Sequence, residues 1–481
     1  MIVKTLDEPL LEFGNSNSWI CPKEGIRRFT PYDMGQVRPE TVKIGIIGKS
    51  DSVDKILGWL EKGRYYIDAK PSKQPKLFPS FMGFQEENGF CSKLIHDDSY
   101  IRKINNTDFE EVYDSPNEGE VIERAVDLYI ADIRFLSKNK RPDVILCVIP
   151  ESFVQRFNPK TESPNESENT DEEDMDEDEK ENEGGDQEYN FRRLLKARAM
   201  KYHIPIQIVR DRIVSPSGEM QDEASIAWNF YTALYYKASG TPWSLIKPPS
   251  TIVCYAGISF YRSRDRSTVQ TSIAQIFNEL GKGVILRGED PILVKKNDPV
   301  PHLSEEQAFN LMDRALAEYR EALNIYPQRL VVHKSSNFTE AEAAGIIGAA
   351  QKNSINALDL ITIHRKTNFQ LFRERRYPVL RGTLFSYDQR NHLLYTRGSV
   401  PYFGTYPGKY VPNPLQIRIY RNDESPDLIC NEILGLTKMN WNNAQFDRRY
   451  PITIECARKV GDILKYLPED AEMELRYSFY M

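Results

Sequence analysis

The chain has 481 residues, 40% of them hydrophobic, and a formal net charge of −7, so it is long enough for two or three domains with sizeable cores. No stretch approaches the roughly 18 consecutive apolar residues of a membrane span, and the first residues, MIVKTLDEPLLEFG, lack the basic-then-apolar order of a signal peptide. The composition therefore predicts a cytoplasmic protein that does not enter a membrane.

Strands and helices alternate in the first half of the chain. Glycine and proline punctuate residues 1–40, which predicts a connector packed on the surface. From Val42 an apolar strand leads through a loop into an amphipathic helix, and DVILCVIP at 143–150 is a second buried strand. The segment GIIGKS at 45–50 differs from a phosphate-binding Walker A loop, because the required first glycine would fall at Lys43. We interpret it as an ordinary strand-to-helix turn.

Most of the negative charge is concentrated in one segment. Residues 159–188 contain 15 acidic residues and 2 lysines, a net charge of −13, so the rest of the chain carries the difference from −7, which is +6. Such a run cannot bury enough apolar surface to order itself, and we predict a disordered acidic loop. A second interpretation is that this loop imitates nucleic acid and competes for a basic groove when the groove is empty.

Two domains follow from the order of the elements. After the acidic loop come the helix FRRLLKARAMKY, the strand IPIQIVR and the helix EASIAWNFYTALYYKAS, which ends before Gly240 and Pro242. This alternation predicts a parallel, doubly wound α/β domain over 41–248. A second domain over 249–481 begins with the strands STIVCYAGISFYRSRD and KGVILRGE. It continues with a strand and helix in RLVVHKSSNFTEAEAAGIIGAAQ, the strand NALDLITIHRK, antiparallel β-structure over 376–425 and a closing helix in PITIECARKVGDILKYL.

The six cysteines form no CxxC pair, and several lie in strand-like segments. This pattern predicts buried reduced thiols and argues against a zinc site or a framework of disulfides.

Four side chains of the first domain could meet at one anion. Arg192 and Lys196 lie four residues apart on one predicted helix and therefore share a face. Gln207 follows in the next strand, and Lys237 lies near the end of the next helix. Cations and an amide from different elements can bind one phosphate through charge-assisted hydrogen bonds. On spacing alone, solvated surface charges explain the same pattern equally well.

Carboxylates are missing from the second domain at the positions where a nuclease of the RNase H type would need them. Such an enzyme uses acidic side chains to hold two divalent metals about 4 Å apart. Gly257 stands in the opening strand where an aspartate is expected, and a later strand offers Ser335, followed by Ser336. Asp265 and Glu289 are close in sequence, but neither lies at the centre of a predicted strand.

Basic residues alternate with aromatic residues in FYRSRDR at 260–266 and in HRKTNFQLFRERRYPVLRGT at 364–383. Cations neutralise phosphates, and aromatic rings stack on bases. One charge run is usually a solvated face, but two runs in the same domain favour a groove for nucleic acid.

Together these segments resemble the Argonaute family over nearly the whole chain. The linker before the MID domain is similar to LLEFGNSNSWICPKEGIRRFTPYD, and the MID pocket for a 5′ phosphate is similar to FRRLLKARAMKYHIPIQIVRDRIV with ALYYKASGTPWSL. Successive blocks of the PIWI domain resemble ISFYRSRD, VVHKSSNFTEAE, YFGTYPGKYVPNPLQIRIY and LTKMNWNNAQFDRRYPITI. The resemblance implies an α/β fold in which a Rossmann-like MID domain is followed by an RNase-H-like PIWI domain.

The resemblance also implies roles for individual residues. Lys196, Gln207 and Lys237 fall at positions that bind the 5′ phosphate of a guide strand, and Arg192 falls where the family often has tyrosine or histidine. The C-terminal carboxylate of Met481 falls where many members help to bind a Mg²⁺ ion beside that phosphate. This Mg²⁺ is the cofactor that the resemblance implies.

Gly257 and Ser335 fall at two acid positions of the PIWI catalytic tetrad, which is the pattern of short prokaryotic Argonautes and implies a protein that is not itself an enzyme. Such proteins use a guide RNA to recognise single-stranded DNA of plasmids or phages without cutting it. They activate a partner, in which an APAZ segment is fused to a TIR or sirtuin-like NADase or to a nuclease, in a heterodimer that serves prokaryotic immunity. Two alternatives remain open: an active guided nuclease with a rearranged metal site that uses Asp265 or Glu289, and a phosphate-binding enzyme built on the first domain.

Overall fold

The computed structural model describes residues 1–113, 118–153, 191–214, 222–246, 252–264, 268–277, 283–292, 300–365, 367–374, 377–406, 411–468 and 471–481. The acidic loop at 159–188 and Asp265 lie outside these residues, as does the side chain of Glu289, so the predictions about them stay predictions. The six cysteines are buried free thiols, as predicted. No helix in the described ranges is long and apolar enough to cross a membrane.

The first half of the described chain contains nine strands and six helices. In chain order they are β1 (Ile2–Thr5), β2 (Leu11–Glu12), β3 (Ser18–Trp19), α1 (Pro22–Phe29), β4 (Thr41–Lys49), α2 (Ser50–Gly63), β5 (Lys93–Ile95), β6 (Ile101–Ile104), α3 (Asn106–Tyr113), α4 (Glu118–Asn139), β7 (Val144–Ile149), α5 (Phe191–Ala199), β8 (Ile206–Arg210), α6 (Glu223–Lys237) and β9 (Ser244–Leu245).

The first domain is built on a parallel sheet. Its strands pair in the order β5, β4, β7, β8, with β6 also beside β4, and each of these pairings is parallel. Strand β7, with the sequence VILCVI, is buried at every position, as expected for a strand of a parallel sheet that is covered on both faces. The prediction of a parallel α/β domain is confirmed.

The GIIGKS segment is a strand-to-helix turn, as predicted. Strand β4 runs to Lys49 and α2 begins at Ser50. A Cβ atom at Gly48 would lie 2.6 Å from the carbonyl oxygen of Val148 on β7. The close approach of the two strands therefore explains this glycine without a bound phosphate.

Residues 1–40, predicted to be a connector packed on the surface, are integrated more deeply than that. Strand β2 pairs with both β3 and β9, and Leu11, Phe13 and Ile26 are buried. A Cβ atom at Gly25 would lie 2.0 Å from the ring of Phe13, so glycine at this position of α1 lets that ring pack against the helix. The connector thus contributes to the core.

The second half of the described chain contains nine further strands and four helices. In chain order they are β10 (Val253–Arg262), β11 (Val269–Phe277), β12 (Gly283–Val284), β13 (Arg287–Ile292), α7 (Glu305–Leu323), β14 (Arg329–Lys334), α8 (Glu340–Lys352), β15 (Ala357–His364), β16 (Thr383–Ser386), β17 (Asn391–Leu394), β18 (Leu415–Arg421), α9 (Pro426–Leu436) and α10 (Ile452–Leu464).

One mixed sheet organises the second domain. In the described residues its ten strands follow the order β1, β16, β17, β18, β15, β14, β10, β11 and β12, with β13 also beside β11. Strands β10, β14 and β15 are parallel neighbours, whereas β16, β17 and β18 pair antiparallel. The antiparallel structure predicted for 376–425 is therefore confirmed. The N-terminal strand β1 pairs with β16 and thus forms one edge of this sheet.

Helices cover both faces of the central strands. Cys254, Ala256 and Ile258 of β10 share a core with α7 and α8, while Gly257 faces α10. Helices α7 and α8 both begin with capping boxes, which satisfy the backbone N–H groups at their starts. Successive side chains of a strand point to opposite faces, so the two faces of β10 contact different helices.

Candidate nucleic-acid interface

Helix α5 carries two of the four predicted phosphate ligands. Its apolar residues, including Leu194 and Leu195, are buried in the core, whereas Arg192 is exposed and Lys196 is half-buried. The ammonium of Lys196 donates a 3.5 Å hydrogen bond to the carbonyl oxygen of Tyr480. This helix therefore brings cations beside the C-terminal residues of the chain.

Lys237 and Gln207, the other two predicted phosphate ligands, contact each other. Gln207 lies on β8 and Lys237 is the last residue of α6, and the ammonium of Lys237 donates a 2.7 Å hydrogen bond to Oε1 of Gln207. Lys237 is only 3% exposed. Burial, and secondarily the charge of Arg192, lowers the pKa of Lys237 to about 7. Within the described chain, no carboxylate forms a hydrogen bond or an ion pair with this ammonium.

The structure thus brings together residues that lie far apart in the sequence. Arg192 is near enough to Lys237 to affect its pKa, and Lys196 contacts the residue before Met481, which is itself buried. An ion pair between Arg193 and Asp462, with a 3.2 Å N–O distance, links α5 to α10 of the second domain. We name the cluster of Arg192, Lys196, Gln207, Lys237 and Met481 the anion pocket. Its cationic side chains suit an anionic group such as a phosphate.

The donor atoms of the anion pocket do not fit a Mg²⁺ ion on their own. Mg²⁺ has octahedral oxygen coordination in which it usually keeps several waters beside one or two carboxylates and substrate phosphates, and the carboxylate that this cluster contributes is the C-terminus at Met481. The cationic side chains of this cluster repel a second cation. Among the residues that the structure describes, no group of three or more His, Cys, Asp or Glu side chains could hold a metal. The Mg²⁺ ion that the resemblance implies beside a guide phosphate stays a prediction.

Gly257 lies where the second domain has no space for a side chain. Its neighbour across the parallel pairing is His333 on β14, and a Cβ atom at Gly257 would lie 2.2 Å from the carbonyl oxygen of Thr453. His333 is fully buried, its Nδ1 lies 2.8 Å from Oγ1 of Thr453, and burial with the charge of Arg329 lowers the pKa of His333 to about 3. Direct packing against α10 therefore occupies the position that the sequence suggested for an aspartate.

The register between β10 and β14 separates Gly257 from Ser335 along the sheet. The parallel pairing sets Gly257 opposite His333 and Ile258 opposite Lys334, so the next residue, Ser259, is level with Ser335. Gly257 is two residues further back, which is about 6.6 Å along a strand, too far for two side chains that must share metals about 4 Å apart. The sequence analysis did not consider Ser259, because the register between β10 and β14 is visible only in the structure.

The two basic segments, 260–266 and 364–383, differ in which side chains are exposed to solvent. Arg381 of the second segment is buried and binds Glu8, so it stabilises the fold and does not line a groove. Phe369 and Phe372 of the same segment are among the exposed apolar residues, and Phe372 is 74% exposed. In the first segment Arg262 is exposed, whereas Arg264 lies 3.9 Å from Glu123.

A further cationic cluster was not predicted from the sequence. The guanidinium groups of Arg365, Arg449 and Arg458 lie 5.4, 5.3 and 6.0 Å from the ring centre of Tyr450. Arg449 also donates a 2.6 Å hydrogen bond to the carbonyl oxygen of Arg365. Three arginines around one ring concentrate positive charge on the second domain, as phosphate contacts require. Because they come from three separate segments, only the fold could bring them together.

Comparison with known proteins places this geometry in context. No family model matches the chain. A curated relative, protein argonaute of Aquifex aeolicus, is 20% identical over 272 residues, which are 56% of this chain and 35% of that protein. The matched residues therefore span about a third of the length of this relative.

Solved structures share the fold over nearly the whole chain. Clostridium butyricum Argonaute, solved with a guide DNA and a 19-mer target DNA, has a TM-score of 0.66 at 16% identity, over 98% of this chain and 54% of that one. Drosophila Piwi has a TM-score of 0.60 at 12% identity, over 99% and 56%. A. aeolicus Argonaute has a TM-score of 0.59 at 14% identity, over 98% and 54%. The parallel first domain and the mixed-sheet second domain correspond to the Rossmann-like MID and RNase-H-like PIWI architecture of these structures, and the chain is similar to Argonaute proteins in sequence and fold.

Proposed function

We propose that the chain binds a guide strand by its 5′ phosphate in the anion pocket and uses it to recognise a complementary strand without cutting it. The observation that carries this proposal is Lys237, a buried ammonium whose hydrogen-bond partner is the amide of Gln207. A buried charge without a counter-charge lowers stability, and strongly perturbed groups of this kind cluster at functional sites. A terminal phosphate, with a charge of about −2 near neutral pH, supplies the missing negative charge.

Other described residues favour a nucleic-acid strand as the ligand, in preference to an isolated phosphate. The cluster around Tyr450 and the exposed Arg262 and Phe372 offer cations and a ring for a sugar-phosphate backbone and its bases. The similar protein from Clostridium butyricum was solved with both a guide and a target DNA. We propose a guide RNA and a single-stranded DNA target for this chain, on its resemblance to short prokaryotic Argonautes.

We propose further that the chain has no nuclease activity. The neighbouring positions Ser259 and Ser335 offer hydroxyl groups in place of carboxylates, and Gly257 is closed off by Thr453. The alternative is a rearranged site that uses Asp265 or Glu289. Incubation of the guide-loaded protein with a matched target and Mg²⁺ or Mn²⁺ separates the two. Intact target agrees with our proposal, and a cut at one fixed distance from the guide 5′ end favours the alternative.

The output of recognition is proposed to lie in a partner. On the same resemblance, we propose a cytoplasmic heterodimer with an APAZ-containing protein that carries a TIR or sirtuin-like NADase or a nuclease and acts in prokaryotic immunity. Target pairing must then favour one state of the heterodimer over another, because a ligand shifts an equilibrium only through differential binding. Activity of the partner that requires both guide and matched target would support this, and activity independent of both would contradict it.

The anion pocket is tested by guide loading. We expect the double variant Lys196→Ala/Lys237→Ala to bind a 5′-phosphorylated strand at least tenfold more weakly in a filter-binding assay, with a smaller dependence on salt because phosphate contacts are lost. The matched control is Lys201→Ala, which removes an exposed lysine just beyond α5. Unchanged loading of the double variant would refute the assignment of the pocket.

A further inference from the structure

A cavity of about 640 Å³ opens beside the start of α7 in the second domain, and its volume falls within the range of roughly 300–1,000 Å³ typical of ligand pockets. Its lining comes mainly from α7 as far as Arg314, from β13 and from the start of α8. Leu303 and Leu311 of this lining belong to the core that β10 shares with α7 and α8, whereas Gly257 faces α10. The cavity therefore lies on the opposite face of the sheet from Gly257, and it shares no residue with the anion pocket.

Two exposed carboxylates line the cavity, Asp290 on β13 and Glu306 in the first turn of α7. In the described part of the chain, neither carboxylate accepts a hydrogen bond or forms an ion pair. The arginine of the lining, Arg314, instead donates a 3.4 Å hydrogen bond to the carbonyl oxygen of Arg287. It lies about 12 Å beyond Glu306 along the helix axis. The cavity therefore offers negative charge that pairs with no described cation.

The rest of the lining suits a long side chain with an aliphatic stem and a polar end. Leu303 and Val300 provide apolar surface, while Asn310 and Thr271 add an amide and a hydroxyl. Arginine and lysine bury their methylene stems against apolar surface while their charged ends reach polar groups. A guanidinium has five N–H donors in a planar fork. Several oxygen acceptors in one cavity therefore favour arginine over the compact ammonium of lysine.

A buried ionic cluster holds the floor of this cavity in shape. The almost fully buried Glu342 carboxylate accepts hydrogen bonds of 2.6 and 2.8 Å from the ammonium of Lys334 and of 2.9 Å from the backbone N–H of Leu303. Nδ1 of His302, a lining residue, lies 3.3 Å from the same ammonium. The capping box of Ser304 fixes the first turn of α7. A ligand therefore does not have to order its own site, which favours binding.

The sign of the charge argues against nucleic acid as the ligand of this cavity. Glu305 and Glu340 are exposed beside the lining, so the starts of α7 and α8 add negative charge around it. Carboxylates repel phosphate groups, whereas the anion pocket and the arginines around Tyr450 attract them. The ligand expected here is positively charged.

We propose that this cavity receives an arginine side chain of a partner protein. The methylene stem packs against Leu303 and Val300, and the guanidinium donates charge-assisted hydrogen bonds to Asp290 and Glu306. Arginine is among the residues that contribute most to the binding energy of protein interfaces, above all where it fills a pocket. The inference goes beyond the proposed function, because it involves neither the guide nor the target strand.

Paired peptides test the requirement for charge. N-acetylated and C-amidated Ala-Arg-Ala, and the same peptide with citrulline as a neutral isostere of arginine, are titrated separately into the full chain at low salt. Saturation-transfer NMR measures both affinities. Because hydrogen bonds to charged groups are the stronger ones, we expect the arginine peptide to bind at least about tenfold more tightly. Equal affinity of the two peptides would overturn the proposal.

Substitution assigns this preference to the cavity. Asp290→Asn/Glu306→Gln keeps the size of both side chains and removes their charges, so we expect the preference for arginine over citrulline to disappear while guide loading is unchanged. The matched control, Glu321→Gln, removes an exposed carboxylate of α7 outside the lining and should keep the preference. A double variant that keeps the preference would overturn the proposal, because the arginine would then bind elsewhere. Loss of guide loading in the double variant would also overturn it, because the cavity would then belong to the surface for nucleic acid.

Discussion

The ammonium of Lys237 lies 2.7 Å from the side-chain oxygen of Gln207, in a position that is almost closed to solvent. An amide dipole satisfies one hydrogen bond of this lysine but does not balance its charge. The anion pocket is therefore stabilised by a negatively charged ligand and is costly to keep charged when it is empty.

Replacement of Lys237 by methionine separates binding from stability. Methionine retains most of the buried volume and removes the charge, so we expect Lys237→Met to bind 5′-phosphorylated strands at least tenfold more weakly. The empty protein should become as stable as the unaltered one or up to about 2 kcal/mol more stable. Fluorescence-detected thermal unfolding and filter binding measure the two effects. A large loss of thermal stability would mean that the charge contributes to the fold.

The pH dependence of guide binding follows from the same lysine. Its pKa is about 7 in the empty pocket, against an ordinary value of about 10.4, and a bound phosphate favours the charged form. At a pH between these two pKa values, Lys237 takes up a proton when the phosphate binds. The affinity for a 5′-phosphorylated strand should therefore fall as the pH rises from about 7.5 to 9. Calorimetry at pH 8 in buffers of different ionisation enthalpy measures this uptake, which should be absent in Lys237→Met.

The stability of the empty protein should change in the opposite direction. Because the folded-state pKa of Lys237 is lowered, the unfolded chain binds more protons than the folded chain between about pH 7 and pH 10.4. The contribution of this residue to the free energy of unfolding therefore rises with pH across that window. Unfolding midpoints of the unaltered protein and Lys237→Met, compared at several pH values, isolate the effect. A difference that is constant with pH would contradict it.

The register between β10 and β14 predicts that Gly257 and Ser259 differ in how well they tolerate substitution by aspartate. An aspartate at Gly257 collides with the backbone of Thr453, so Gly257→Asp should lower the free energy of unfolding by about 3 kcal/mol or more, through overpacking and burial of a charge. Ser259→Asp replaces an existing side chain and should cost less. Thermal unfolding of the two variants provides the comparison. Equal tolerance would mean that α10 does not pack against Gly257 as described.

The N-terminal segment is held by a buried ionic group. The Glu8 carboxylate lies 2.6 Å from the ammonium of Lys438 and 3.0 Å from Nε of Arg381. Burial alone would raise the pKa of Glu8, but the two cations outweigh it and the pKa is lowered. This carboxylate therefore stabilises the fold above its ordinary pKa, and the stabilisation is lost as the pH falls through the lowered value.

Removal of this carboxylate leaves two buried cations unpaired. We expect Glu8→Ala to lower the free energy of unfolding by about 3–5 kcal/mol. The control is Lys4→Ala, which breaks a more exposed pair with Asp427 and should cost less than about 1 kcal/mol. Denaturant titration at neutral pH measures both. Similar small effects would indicate that residues 1–40 are a loosely attached connector, as the sequence suggested.

Apolar runs made six elements of the first domain predictable from the sequence, which are β4, α2, β7, α5, β8 and α6, whereas β5, β6, α3 and α4 were missed. The strand VILCVI at β7 and the largely buried helix α6 have apolar patterns that local chemistry determines. The spacing of Arg192 and Lys196 likewise follows from one helix, but the contact of Lys196 with Tyr480 depends on the packing of the domains.

Features of the second domain were harder to predict because they depend on long-range pairing. Strand β11 and helices α7 and α9 were missed, and KGVILRGE proved to contain the short strand β12 and the beginning of β13. The alignment of Ser259 with Ser335 depends on register between strands more than 70 residues apart, which no local pattern reports.

Discrimination between 5′-phosphorylated and 5′-hydroxyl strands of identical sequence tests the central claim most directly. Equilibrium competition at fixed salt and pH 7 measures it with the unaltered protein. The account predicts at least a tenfold preference for the phosphorylated strand, and a preference that largely disappears in Lys237→Met. Equal affinity of the unaltered protein for both strands would contradict the account, because the buried charge of Lys237 would then have no phosphate to balance it.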